Sequence, residues 1–210
     1  MRVILLRHGE TAWNRDGVFR GTEDVPLNDL GRKQAALAGQ RLQDSDVRRI
    51  YTSSLSRARE TALLAAQHSG IPVEEKDFLL DMYFGQWQGL TVEEVASRWP
   101  AEYGIWQNQP QLCQSPGGES LEGVMQRAAR GVETLLQGGE KADLILVTHR
   151  VIIKLLLLWA LGGSSKDFWK IRVDTCSISS FLSRKDYFVI EKINDTCHLR
   201  QLAPPPAADF

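Results

Sequence analysis

Apolar and polar positions follow two alternating rhythms along most of this chain. Val3-Ile4-Leu5-Leu6 is a short unbroken apolar run, the pattern of a strand buried on both faces of a parallel sheet. A polar, glycine-bearing stretch runs to Gly31. From Leu30 to Leu42 the residues Leu30, Gln34, Leu37, Ala38 and Leu42 fall near one helical face. Arg49–Ser53 predicts a second strand, Ser56–Gln67 a second helix before the Gly70/Pro72 break, and Pro72–Glu74 a brief third strand. Between Asp77 and Gly118 the rhythm is irregular: Trp87, Trp99 and Trp106, two glycine-bounded turns, and short helical pieces around Thr91–Arg98. Regularity returns with a helix over Ser120–Leu136, with Ser120 as N-cap and Gly138-Gly139 at its end. A buried strand over Asp143–Thr148 and an apolar helix over Val151–Leu161 follow. Cys176–Leu182 and Tyr187–Ile193, flanking polar Ser183–Asp186, predict an antiparallel hairpin.

Strands alternating with helices predict an α/β fold: three layers, with a mostly parallel central sheet, helices on both faces and a small helical cap insertion at 77–118. The 210 residues suit a single domain over 1–200, at ~150 residues per domain, followed by a flexible Pro-rich tail at 203–210.

Composition narrows the class. With 43% hydrophobic and 24% charged residues, the chain sits among ordinary globular proteins. The longest apolar stretch, Leu155–Leu161, falls far short of the roughly 18 residues of a membrane span. The apolar run near Met1 is too short for a secretory signal. Three well-separated cysteines, Cys113, Cys176 and Cys197, suit a reducing compartment, so a cytoplasmic location is expected and a zinc site is disfavoured. A net charge of −1 argues against large polyanions, yet it hides an asymmetry. Residues 1–60 carry eleven Lys or Arg against eight Asp or Glu, and ten of those bases are arginine, whose planar fork suits phosphate or carboxylate.

Ligands in α/β sheets bind at the carboxyl ends of strands. His8 follows the first strand and His149 the Asp143–Thr148 strand, while Ser53, Leu55 and Arg57 follow the second. A lone histidine is more often packed than functional, but two at equivalent strand ends shift that balance; His68 and His198 keep the packing reading. On residue type alone His8 fits a nucleophile, a general base or a metal ligand. No His, Cys or carboxylate cluster supports the metal, and no Gly-x-Ser-x-Gly elbow supports a serine triad. Arg7, Arg20 and Arg57 instead surround His8 with positive charge, which fits attack of imidazole on a phosphoryl group whose oxygens need stabilising. Gly9 would let the backbone approach the phosphate closely.

Leu6-Arg7-His8-Gly9-Glu10-Thr11-Ala12-Trp13-Asn14 resembles the signature of the histidine phosphatase (phosphoglycerate mutase-like) superfamily. The likeness continues through Arg20-Gly21-Thr22-Glu23-Asp24-Val25-Pro26-Leu27, Ser53-Ser54-Leu55-Ser56-Arg57, Leu79-Leu80-Asp81-Met82-Tyr83-Phe84-Gly85-Gln86-Trp87, Gly117-Gly118-Glu119-Ser120 and Val147-Thr148-His149. These ordered motifs cover residues 2 to about 160. The resemblance implies that His8 is phosphorylated during turnover and that Arg7, Arg57 and His149 complete the phosphate pocket. Asn14 would donate its amide to a phosphate oxygen. Asp81 takes the place of the family's acid, usually glutamate, and would protonate the leaving oxygen and then activate water. Its pKa should be raised by the adjoining phosphate.

Four positions depart from the family pattern. Asp81 is one methylene short. Arg20 stands where glutamine is frequent and adds charge near the phosphate unless it turns to solvent. Gln88 replaces a frequent glutamate and is expected behind the site or at the surface. Arg150 replaces glycine. The swap is harmless if the site uses only its backbone N–H, the favoured reading; otherwise its side chain would recruit a second anionic group. Gly21 joins the substrate-binding set with Arg20. Tyr83, Trp87 and Trp106 are candidates for a substrate wall, although aromatics at such spacing are more often core. Glu10 is expected to anchor its loop, and Glu119 and Ser120 to begin a helix.

The function expected from the resemblance is a metal-independent, cofactor-free phosphomonoesterase acting on a small phosphorylated metabolite, α-ribazole 5′-phosphate or a sugar phosphate among the candidates. A cofactor-dependent phosphoglycerate mutase is the alternative, disfavoured because Gly89–Gly117 holds Arg98 as its one base. A weakly active phosphate-binding regulatory module is the other. No nucleic-acid or membrane partner is expected, and the chain should be a monomer or homodimer.

Overall fold

In the computed structural model, which describes residues 1–43, 45–67, 69–138 and 142–202, the apolar runs become one six-stranded sheet. Its strands are β1 (Arg2–Arg7), β2 (Val47–Thr52), β3 (Val73–Glu75), β4 (Asp143–Thr148), β5 (Ile178–Ser183) and β6 (Phe188–Asp195). They lie in the order β3-β2-β4-β1-β5-β6; the first four are mutually parallel, and β5 and β6 add antiparallel at the β1 edge. Among the described residues the α-helices are α1 (Ala12–Arg15), α2 (Asp29–Leu42), α3 (Ser56–Ala66), α4 (Val92–Arg98), α5 (Pro100–Asn108), α6 (Leu121–Gln137) and α7 (Arg150–Ala160). The predicted tail at 203–210, His68 and Gly139 lie outside the described residues.

The three layers follow from the two-residue period of the strands. Val3, Leu5, Leu144 and Leu146 point to one face, where α6 and α7 pack; Ile4, Leu6, Ile145 and Val147 point to the other, where α2 and α3 supply Ala38, Ala58 and Ala62. Both faces are apolar because both are covered. Small residues between α2 and α3 allow a close approach, with Gly39 lying against the backbone of Ala65. Asn28 caps α2 by accepting from Gly31 N, and Ser120 caps α6 by accepting from Gly123 N, as expected for Ser120.

Residues 77–118 hold α4, α5 and three single-turn 3₁₀ segments. Leu79, Met82, Phe84, Trp87, Val95 and Trp106 of this stretch belong to the same buried cluster as Val3, Leu5 and Leu144. Its irregular sequence rhythm thus hides a contribution to the main core. The pattern missed α1, α5 and the 3₁₀ turn Ser165–Lys170, all too short or too rich in aromatics to show a clear helical period. It also began α7 one residue late, because Arg150 is charged although buried. Among the described residues, no helix is long and apolar enough to cross a membrane.

Candidate active site

Three neighbouring strands, β2, β4 and β1, end at one level and deliver three functional loops together. His8 leaves β1 with its N–H donating to Thr148 O (2.9 Å), and Ser53 leaves β2 with its N–H donating to Val147 O (3.3 Å). His149 follows β4 directly and occupies the N-cap of α7. The rings of His8 and His149 face each other with centroids 5.2 Å apart.

His8 is buried, and its Nδ1–H donates to Gly9 O at 2.7 Å. A carbonyl only accepts, so the proton sits on Nδ1 and Nε2 keeps its lone pair. Burial, then Arg57, Arg7 and Arg20, hold the imidazole well below the usual histidine range, and therefore neutral. The loop bearing His8 is fixed from behind. Gly9 N donates to Thr61 Oγ1 (3.0 Å), Glu10 N to Gln34 Oε1 (2.9 Å), and Asn28 Nδ2 to Glu10 Oε1 (2.8 Å). Glu10 is thus the loop anchor expected. Gly9 also meets a demand beyond the close phosphate approach expected of it. A Cβ there would collide with the Gly31 carbonyl, and one on Gly31 with the Glu10 carbonyl, so the two glycines let α2 and the histidine loop touch.

Arg57 enters from the first turn of α3, where Nη1 and Nη2 donate to Glu23 O and Gly21 O, each at 2.7 Å. Gly21 has φ +51°, and a side chain there would strike Gln88 and the Met82 carbonyl. Arg7 donates through Nη1 to Val173 O (2.8 Å). Asp81 sits between two 3₁₀ turns, on a segment clamped by Thr148 Oγ1 donating to Leu79 O (2.6 Å) and Arg127 Nη1 to Leu80 O (3.0 Å). Its Oδ2 lies 3.4 Å from Arg57 Nη2 and 3.7 Å from His149 Nδ1. Burial pushes its pKa up, and this outweighs the opposing pull of Arg57 and Arg20. The expectation invoked a bound phosphate; the fold raises the pKa without one. Arg57 itself is brought down to about 10 by burial. His149 is likewise held well below the usual range by burial and the arginines, and its Nε2 hydrogen-bonds Ser53 Oγ at 2.7 Å.

A cleft opens over these groups, lined by His8, Arg20, Gly21, Asp81, Phe84 and Arg150 among others. Arg20 is therefore not turned to solvent: it is buried, with Nη1 donating to Trp13 O (3.0 Å). Asn14 is buried in α1, its Oδ1 taken by Thr11 N and Thr11 Oγ1 (3.0 and 2.9 Å), which fixes which way its amide faces. Arg150 is buried and belongs to the cleft lining. Tyr83 is 43% exposed and outside the cleft lining; its neighbour Phe84 takes the expected place. Trp87 and Trp106 are buried in the core.

Gln88 lies behind the site as a tie. Its Oε1 accepts from Thr22 N (2.8 Å) and Thr22 Oγ1 (3.1 Å), and its Nε2 donates to Glu23 Oε1 (3.1 Å). Glu119 also does more than begin a helix, since Oε2 accepts from Tyr83 N (2.8 Å) and Arg127 (3.2 Å). His198 is remote, donating to Cys176 O (3.1 Å). Thr61 and Arg127 were not singled out for the site, and Ser53 was placed at its strand end without a role. Ser53 and Thr61 had a signal: one ends a strand, and the other lies one helical turn after Arg57. Arg127 had none, because besides Glu119 its partners are carbonyls of a distant segment.

Known proteins resemble the chain in sequence and in fold. A sequence model of the histidine phosphatase superfamily (branch 1) matches residues 3–196. Phosphoserine phosphatase 1 of Hydrogenobacter thermophilus is 33% identical over 199 residues, covering 95% of this chain and 94% of that protein. The adenosylcobalamin/α-ribazole phosphatase of Escherichia coli is 29% identical, over 83% of this chain and 86% of its own. Three mycobacterial relatives, 34% identical over 179 residues, are longer, and the chain spans 49% of their length. Among solved structures, Bacillus stearothermophilus YhfR superposes with a TM-score of 0.90 at 29% identity, over 94% of this chain and 98% of that one.

Proposed function

The chain belongs to the histidine phosphatase superfamily and is a phosphatase, and from this premise we propose that it hydrolyses a small phosphate monoester in two steps through a phosphohistidine on His8. One observation carries the reading: a neutral, buried imidazole whose Nδ1–H is bound to Gly9 O, leaving the Nε2 lone pair free in a residue that lines a cleft with Arg20, Asp81 and Arg150.

In the first step Nε2 attacks phosphorus and the ester P–O bond breaks. Asp81, whose pKa burial raises toward the protonated form, gives its proton to the departing alkoxide oxygen. Arg7, Arg57 and Arg20 hold the phosphoryl oxygens as charge develops on them, at little reorganisation cost because backbone carbonyls already fix all three guanidinium groups. Ser53 donating to His149 Nε2 would leave the proton on Nδ1, facing the same oxygens and Asp81. In the second step the Asp81 carboxylate takes a proton from water, whose oxygen attacks phosphorus, and the P–N bond to His8 breaks to release phosphate. Asn14 would steady one oxygen through its amide. Nucleophile, acid and charge stabilisers are all side chains, so the reading needs no metal or cofactor.

A short acid residue does not argue for an inactive binding module, since the Asp81 carboxylate reaches both Arg57 and His149. The mutase alternative lacks a basic acceptor site in the 77–118 segment: Arg98, the one base between Gly89 and Gly117, is exposed and 3.6 Å from Glu94. For the substrate, the relatives' names add O-phosphoserine to α-ribazole 5′-phosphate and the sugar phosphates. Hydrolysis of p-nitrophenyl phosphate in excess chelator, with acid-labile phosphate trapped on the protein, is the expected result. His8→Ala should abolish both signals, and turnover surviving in that variant would sink the mechanism.

A further inference from the structure

Among the described residues two that are not glycine hold a positive φ, Cys176 (+51°) and Asn194 (+55°), and both support the loop that carries Arg7 and His8. The left-handed region is costly for an L-residue, and asparagine bears it better than most. At Asn194 the reason is a bulge. Ile178 pairs with Asp195 and Ser180 with Lys192, so β6 carries one extra residue and Ile193 and Asn194 both oppose Ser179. Asn194 thereby leaves the regular ladder. Its N–H donates to Ser179 Oγ (3.0 Å), and its amide reaches the segment that enters β5. Oδ1 accepts from Asp174 N (2.7 Å) and Nδ2 donates to Asp174 Oδ2 (3.0 Å), so one side chain fixes both the backbone and the carboxylate of Asp174.

From Asp174 the support runs both ways into the site. One residue back, Val173 O accepts from Arg7 Nη1 (2.8 Å). Forward, Thr175 Oγ1 accepts from Gln34 Nε2 (3.3 Å), and the Oε1 of the same glutamine holds Glu10 N. Cys176 N then donates to His8 O (3.1 Å), and Ser177 O accepts from Arg7 N (3.2 Å). On the other side of this segment, Val173 and Asp174 wall a second cavity with Arg150 and Lys154, so hydrogen bonds more than packing set where it lies.

We propose that Asn194 is a positioning residue for phosphoryl transfer: by fixing Asp174 it sets the Val173 carbonyl, and through it the plane of the Arg7 guanidinium. The proposal rests on the hydrolase reading above and extends it to a residue of the closing hairpin, outside the cleft lining. A guanidinium is rigid and planar, so one carbonyl bond turns all of its donors together. Donors oriented in advance stabilise the transferring phosphoryl group with little reorganisation.

Vanadate, which mimics phosphorus at the point of transfer, reads the pocket without turnover, by titration calorimetry. In Asn194→Ala its Kd should rise about tenfold, with one site per chain retained, and kcat/KM on p-nitrophenyl phosphate should fall in proportion. A merely structural role would instead lower the number of sites and leave Kd unchanged. Asn194→Gly permits the same backbone and lacks the amide, so it should lose affinity as Asn194→Ala does; wild-type affinity there assigns the residue to the bulge alone and overturns the proposal. Asn194→Asp sets two carboxylates together. Adding Asp174→Asn re-forms the pair with its donor reversed, leaves an oxygen for the exposed Arg172 that donates to Asp174 (2.8 Å), and should bring Kd within about threefold of wild type. Placed on Arg7→Met, Asn194→Ala should change Kd less than about twofold, because the group it positions is gone. Should Asn194→Ala not fold, Asn194→Gly and the exchange carry the test. An unmoved Kd, no rescue by the exchange, or full additivity with Arg7→Met overturns the positioning role alone. Vanadate bound tightly by a wild-type protein that turns over no ester, p-nitrophenyl phosphate included, overturns instead the hydrolase reading beneath it.

Discussion

Buried ionisable groups in this site are shifted in opposite senses, and both shifts serve the chemistry. His8 is depressed by burial and by three arginines, whereas Asp81 is raised by burial despite two of those arginines. In the proposed mechanism the two directions work together, one favouring a neutral His8 and the other a protonated Asp81. The kcat/KM profile should be bell-shaped. Its acid limb, from His8, lies below the ordinary histidine value of about 6.5, and its alkaline limb follows deprotonation of Asp81. Asp81→Asn should lose about 10²- to 10⁴-fold on an alkyl phosphate, less on p-nitrophenyl phosphate whose leaving group needs little protonation, and should remove the alkaline limb. Retention of that limb in the variant would assign it elsewhere. Stability should move the other way. A raised carboxyl pKa contributes stability below the ordinary carboxylate value and loses it as pH rises through the folded-state value. Above that pH, Asp81→Asn should therefore melt at or above the wild-type temperature, which thermal scans across the neutral range would check. His8, Arg7, Arg57, His149 and Asp81 were legible in the sequence because motif order marks them. That Arg20 and Arg150 are buried was not, because only packing decides whether a long side chain turns inward.

Between elements, the site depends on contacts that never touch a substrate. The histidine loop rests on α2 through Gly9 and Gly31, with room for no Cβ at either position. Gly31→Ala should cost about 1–3 kcal/mol by overpacking. It should also lower kcat, because the displaced backbone carries His8; a normal Tm and normal rate would refute the close contact. The Gln88 tie is a second case. Gln88→Glu would set a carboxylate against Glu23, weakening the loop whose carbonyls at Gly21 and Glu23 hold Arg57. KM should rise several-fold, and adding Glu23→Gln should restore it. A double-mutant cycle without coupling would contradict the pairing. Strands and the longer helices were readable within a residue or two, since periodicity reports burial. The 77–118 segment was not, because its buried side chains come from single turns that share no common period.

For the molecule as a whole, the sheet, α6, α7 and the 77–118 segment share one apolar cluster, in which Trp87 and Trp106 are fully buried. Unfolding should accordingly be a single transition. Denaturant curves followed by tryptophan fluorescence and by far-ultraviolet circular dichroism should coincide, and separate midpoints would mean that the segment behaves as a detachable cap. Trp87→Ala should cost about 3–5 kcal/mol, far more than an exposed aromatic would. The sequence alone determined the layered α/β class, the parallel sheet, the closing hairpin and the family, because two-residue and 3.6-residue periods and ordered motifs are local in the chain. Only the tertiary structure decided that Arg20 is buried beside the cleft, what raises the pKa of Asp81, and that Arg150 and Lys154 wall a second cavity. Those properties arise where residues far apart in sequence exclude water together, and burial of that kind leaves no trace in any local stretch of the chain.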